Sequence, residues 1–299
     1  MEGLKACLEE CAPGAAWIHV DGAFGIFARS LPETEEFASL RASSEGLQYA
    51  DSITADCHKA LNVPYASAFL LTRSPTDLSN VCNNGAAAYL KTSATDPIPS
   101  PLNHGLENSR RFSALPIYAV LHAHGREGMA LLFATQVRLA RAVARMIGEL
   151  EAYELLPTAE VGEVGTIVLF RARNEELNEG LLGRINDQNR IFLSGTSWEG
   201  RGAVRVAVSG WEIDVEKDTR VIREVLEKVA ELNANGSVNC LSADLRQRAW
   251  ALLLLDRIVI RGAQTVCWMR DWDNQAPTEL LLTPPPQNIS RSTFKPSSM

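Results

Sequence analysis

Trp17-Ile-His-Val-Asp-Gly-Ala-Phe-Gly25 and, further on, Ala50-Asp-Ser-Ile-Thr-Ala-Asp-Cys-His-Lys59 decide the fold class. In the first, the apolar run from Ala15 to Val20 stops at Asp21-Gly22, which reads as a buried strand ended by a turn, of the kind found in parallel sheets. Ala50–Thr54 and Ala66–Thr72 read as two further strands, with His58-Lys59 on the connection between them. Ligands of open α/β sheets bind outside the carboxyl ends of the strands, where Asp21 falls. A lysine that is partly desolvated at such a place can lose its proton and form a Schiff base with an aldehyde. A carboxylate opposite a pyridine nitrogen would keep that nitrogen protonated and make the ring an electron sink. On spacing alone two plainer readings stay open: Asp21 caps the next helix, and Lys59 is a surface lysine.

The rest of the chain alternates in the same way. Glu2–Cys11 reads as a short helix. Met129, Phe133, Ala140, Val143, Ile147 and Leu150 recur at helical spacing, with Arg138, Arg141 and Arg145 expected on a solvated opposite face. Gly162–Arg171 and Ala203–Ser209 read as strands, and Val221 to Leu232 as a second amphipathic helix. The order suggests α/β followed by a smaller α+β unit. Residues 80–108 are polar and rich in proline, the mark of a functional or mobile loop. From about Asn233 the pattern breaks down into a linker and a low-complexity tail, in which Asn288-Ile-Ser290 is a glycosylation triplet without a secretory route.

Composition narrows the function classes. The 299 residues carry 29 Lys+Arg against 36 Asp+Glu, a net charge of -7, so a phosphate-gripping nucleic-acid binder is not expected. The run Ala251–Leu255 is too short to span a bilayer, and the acidic start MEGLKACLEECAPG lacks the basic and apolar regions of a signal peptide. Six cysteines without a CxxC pair fit reduced thiols in a cytoplasmic protein, and no metal site is expected.

Together with Leu61-Asn-Val-Pro-Tyr65, the two opening stretches resemble the group II pyridoxal-phosphate-dependent decarboxylases, which act on aromatic amino acids, histidine and glutamate. Glu107-Asn-Ser-Arg-Arg111, Ala114-Leu-Pro-Ile-Tyr118, Gly125-Arg126, Thr196-Ser-Trp-Glu-Gly200, Val204-Arg-Val206 and Trp211 extend the likeness over roughly residues 1–232. It implies a partial fold type I, aspartate aminotransferase-like large domain over 1–113. A linking helix and small α+β domain over 114–232 and an atypical tail over 233–299 would follow.

The resemblance also implies roles. Lys59 would hold pyridoxal 5'-phosphate as a Schiff base, and Asp21 would pair with the ring nitrogen. Ala23 would pack on the ring face, and His58, supported by Asp56, would meet the phosphate or the substrate. Arg205 is a candidate for a substrate carboxylate or phosphate, or for a structural salt bridge. The implied reaction is decarboxylation of an L-amino acid to an amine by a homodimer. A catalytically silent homologue acting as a binding partner, or an enzyme of the same cofactor with another reaction such as aldol cleavage or amine oxidation, are the alternatives.

Three departures from the family pattern stand out. The chain starts just before the Asp21 strand, so the family's N-terminal part, which supplies much of the phosphate cup, is expected to be missing. Ala60 stands where many members have tryptophan, and Thr92–Glu107 holds no tyrosine to protonate the carbanion. Tyr89 or His104 would have to substitute there, although an exposed loop histidine is the plainer reading of His104.

Overall fold

β1, His19–Asp21, begins just after an exchange of hydrogen bonds between Ile18 and Asp51. The Asp51 carboxylate accepts the Ile18 N–H at 2.8 Å, and the Asp51 N–H donates to Ile18 O at 2.8 Å. Only beyond that exchange do the strands run side by side. β2, Ser52–Asp56, lies parallel to β1 with Asp21 opposite Thr54. β3, Ala68–Thr72, lies antiparallel on the other side of β2. Both early strands therefore start later than their apolar runs suggest, because Ala50 and Asp51 serve the turn: the Ala50 N–H donates to Leu47 O. The sheet is mixed: the β1–β2 pair is parallel as the sequence implies, and β3 departs from it by running antiparallel.

The computed structural model describes residues 1–14, 16–82, 104–157 and 160–234. All of these lie in one unit that runs from Met1 to Cys267. Tyr89, most of the 80–108 segment and the tail beyond 234 fall outside the described residues.

α1, Glu2–Cys11, precedes the sheet, with Lys5 reaching Asp51 at 3.8 Å. α2, Ala38–Ser43, follows two short 3-10 turns, α3, Cys57–Ala60, follows β2 directly, and α4, Pro75–Cys82, follows β3. The long α5, Ala114–Glu149, is two helical stretches joined at Gly125, whose φ of 61° and ψ of -173° interrupt the helix. Upstream of that break Leu115, Tyr118 and Leu121 are exposed; downstream Met129, Phe133, Val143 and Ile147 are buried, as their spacing predicts.

A second, four-stranded antiparallel sheet has the order β4-β5-β7-β6. It comprises β4, Tyr153–Leu156, β5, Ile167–Ala172, β6, Ser194–Trp198, and β7, Arg201–Ala207. β5 alternates strictly between buried and half-buried positions, so one face is dry. Val168, Phe170, Val204 and Val206 on that face pack with Val143 and Ile147 of α5 and Val225 and Leu226 of α8, Val215–Ala234. Short helices α6, Glu175–Asn178, and α7, Leu181–Asn186, connect β5 to β6 and add Leu177, Leu181 and Ile185 to this core.

The arginine face of α5 is only partly solvated. Arg145 is exposed, but Arg141 is 6% exposed and donates to Glu36 O, Val164 O and Gly162 O. Three carbonyls from two loops need donors there, and one guanidinium meets them all. Burial lowers its pKa from the ordinary arginine value. Arg138 pairs with Glu36 through two hydrogen bonds of 2.8 and 2.7 Å.

Candidate active site

Because β1 and β2 are parallel, their carboxyl ends share one edge of the sheet. Asp21 ends β1 and Asp56 ends β2. The single turn of α3 then brings His58 and Lys59 back over that edge. Lys59 Nζ lies 2.7 Å from Asp56 Oδ2, and its side chain is 17% exposed. The ammonium also sits 4.1 Å above the centre of the Phe24 ring. Arg205 approaches the same ring from β7, with its guanidinium carbon 5.6 Å from the ring centre. Among the described residues no carboxylate pairs with Arg205.

His58 is held on two sides. Its ring stacks on Tyr65 with centroids 4.2 Å apart, and Nδ1 lies 2.8 Å from Ser67 O. A carbonyl only accepts, so Nδ1 carries the proton and donates, leaving Nε2 on the side of Asp56, 3.8 Å from Oδ2. Between His58 and Asp56, Cys57 is fully buried, and burial followed by the neighbouring Asp56 charge pushes its thiol pKa up. It stays a neutral packing group.

Asp21 is exposed, and its Oδ1 accepts the N–H of Ala23 at 3.0 Å, so the carboxylate orders the turn that carries Ala23 and Phe24. Gly22 continues the ladder, donating to Thr54 O at 2.8 Å, and a Cβ there would come within 2.9 Å of that oxygen. The structure thus brings Lys59 and Arg205 onto Phe24 and Lys59 and His58 beside Asp56, with Asp21 and Ala23 on the turn that carries Phe24. His104 is half-buried, and no contact among the described residues joins it to this group. A depression lined by Lys5, Tyr49, Asp51 and Arg73 lies apart from it and excludes Lys59. Spacing gave no reason to single out Phe24 and Tyr65; an aromatic between Gly22 and Gly25 was the available signal for the first.

The pyridoxal-dependent decarboxylase conserved domain matches residues 2–173. The chain belongs to the pyridoxal-dependent decarboxylase family. Drosophila melanogaster histidine decarboxylase is 28% identical over 225 residues, covering 74% of this chain and 25% of that protein. Drosophila melanogaster 3,4-dihydroxyphenylacetaldehyde synthase is 25% identical over 241 residues, covering 80% of this chain and 44% of that protein. The crystal structure of Oryza sativa TDC with PLP and tryptamine superposes with a TM-score of 0.64 at 21% identity, over 78% of this chain and 46% of that one. This family member thus shares the α/β fold of those decarboxylases over part of their length, and spans between a quarter and about half of the relatives it matches.

The family uses pyridoxal phosphate, and the donor set here fits that group at its reactive end. A primary amine and a carboxylate rise from neighbouring parallel strand ends, and an imidazole of fixed orientation faces the same Asp56 oxygen as the amine. Among the described residues, no three of His, Cys, Asp and Glu cluster in a way that would hold a metal ion. No described helix is long and apolar enough to cross a membrane.

Proposed function

We propose that this chain carries the lysine-bearing half of a pyridoxal 5'-phosphate-dependent carboxy-lyase site that converts an L-amino acid to its amine. The observation that supports the reading most is Lys59 on the turn after β2, beside the carboxyl end of the parallel strand that ends in Asp21, inside the segment matched to the family. When bound, the cofactor supplies a ring that accepts the electron pair left behind by departing carbon dioxide.

The residues then divide the work. Lys59 is the amine that would hold the cofactor, and Asp56 at 2.7 Å is the base to which its ammonium proton can pass. Asp21 would meet the ring nitrogen and Ala23 the ring face. His58, its Nδ1–H committed to Ser67 O, would offer Nε2 to the phosphate or the substrate. Arg205, free of carboxylate partners among the described residues, would take the substrate carboxylate. His104 stays a candidate proton donor only through its loop. In this reading residues 1–113 form the C-terminal part of a fold type I large domain. Residues 114–232 form the linking helix and small domain of a cytoplasmic homodimer.

A second reading keeps the site and changes the outcome. The match to a relative named as an aldehyde synthase favours a reaction in which dioxygen, reduced to hydrogen peroxide, oxidises the decarboxylated product and water releases it as an aldehyde and ammonia instead of an amine.

Incubation with pyridoxal phosphate followed by borohydride reduction and peptide mass spectrometry tests the proposal. A reduced adduct on Lys59, absent from Lys59→Ala, is expected. An adduct spread over other lysines and unchanged in Lys59→Ala would sink it. Product analysis with candidate amino acids then separates amine from aldehyde.

A further inference from the structure

Gln136 sits on the buried half of α5 with no exposure at all, on the stretch that also buries Phe133, Val137 and Ala140. Its Nε2 donates both hydrogens, one to Ala60 O and one to Gly210 O, each at 3.3 Å. Its Oε1 is buried without a partner among the described residues. An unpaired buried amide oxygen is costly, and a methionine or leucine would fill the space without that cost. The two carbonyls that the amide joins are not arbitrary. Ala60 immediately follows Lys59, and Gly210 lies just beyond the strand that presents Arg205.

A second amide repeats the connection. Asn62 Nδ2 donates to Ser209 O at 2.7 Å, across the same gap. Its backbone takes the left-handed conformation, φ 55°, with its N–H closing on Lys59 O at 3.2 Å. Asparagine adopts that conformation more readily than most residues, and here it turns the chain directly after Lys59. Two separate side chains therefore tie the turn after Lys59 to residues 209–210.

We propose that Gln136 is a positioning residue which, with Asn62, latches the Lys59 turn to the loop after β7 and so sets the distance between the Lys59 amine and Arg205. The inference rests on the function proposed above, because the pair it aligns is the amine that holds the cofactor and the guanidinium that takes the substrate carboxylate. The Phe24 ring, touched by both cations, is the spacer against which the latch closes.

The test uses the full chain with Gln136→Met, which removes both donors at similar volume, and Asn62→Gly, which keeps the left-handed backbone and removes the amide. Three quantities are read: melting temperature, hydrogen exchange of the peptide spanning 59–63, and the rate of borohydride-trapped adduct at Lys59. Expected are faster exchange in 59–63 and capture slowed about tenfold in each variant, at a temperature where both stay folded. A merely structural role lowers the melting temperature and leaves capture by the folded protein unchanged. Capture within about twofold of the unmodified chain in both variants overturns the latch while leaving the cofactor reading intact. If Gln136→Met does not fold, Asn62→Gly, which touches no buried side chain, decides alone. No adduct in the folded, unmodified chain overturns the function itself and the inference with it.

Discussion

The two sheets of this protein are built to different standards of burial. In the four-stranded sheet, β5 alternates strictly, and Phe170 is fully buried edge-on against Tyr153, with centroids 5.7 Å apart. In the three-stranded sheet, β3 leaves Leu70 and Leu71 44% and 54% exposed, and Trp17 before β1 is 58% exposed. Yet Asp21 ends a strand of this sparsely covered sheet, and His58 and Lys59 lie on the turn that follows its β2. Packing and chemistry are weighted to different regions: one sheet mainly anchors and lends only Arg205 to the site, and the other mainly presents.

That contrast can be broken by experiment, most forcefully in the anchoring sheet. Phe170→Ala should cost about 3–5 kcal/mol in urea unfolding, since it empties a site with no solvent access. A loss no greater than that of an exposed strand residue would mean that the core of the four-stranded sheet is not what holds the chain. Arg141→Ala should come next, at about 2–3 kcal/mol, because three carbonyls lose a charged donor at once.

Glu36→Gln should be smaller, below about 1 kcal/mol, since the Arg138 pair is mostly open to water. Its signature is the pH dependence. Hydrogen bonding from Arg138 holds the Glu36 carboxyl below its ordinary 4.5, against a weaker desolvation effect, so its contribution is complete above that value. It fades as pH falls through the lowered value, and Glu36→Gln should flatten that part of the stability profile. Smallest of all, Leu71→Ser in the presenting sheet should change stability by about 0.5 kcal/mol or less. A larger loss would show that β3 is covered in solution and sharpen the comparison into one about partners.

Element types were legible in the sequence wherever periodicity was strong. The buried stripe of α5 and the amphipathic α8 follow their spacing, and the Asp21 and Lys59 stretches fall on strand and turn as read. Strand starts were not, because Asp51 spends its side chain on Ile18 instead of entering β2. β6, Ser-Gly-Thr-Ser-Trp, carries no alternation to detect, and β4 is four residues long before Pro157. Arg141 looked like surface because charge is the stronger prior in a sequence; only the loops that need its donors reveal otherwise. For the site, spacing alone left Asp21 and Lys59 open to plainer readings; the resemblance singled them out with Asp56 and His58, and the structure places Lys59 and His58 beside Asp56. The aromatic spacer Phe24 and the amide Gln136 depend on contacts made across long stretches of chain.

The break at Gly125 has a bearing on how this chain can change over evolutionary time. In a continuous helix each inserted or deleted residue turns everything on one side by about 100° relative to the other. A stripe that must face the core would be spun away by a single such event. With a non-helical residue at 125, the rotational phase of the upstream stretch is set independently of the stretch that carries Phe133, Gln136 and Ile147. Length changes upstream of Gly125 can therefore accumulate while the buried stripe keeps its aim.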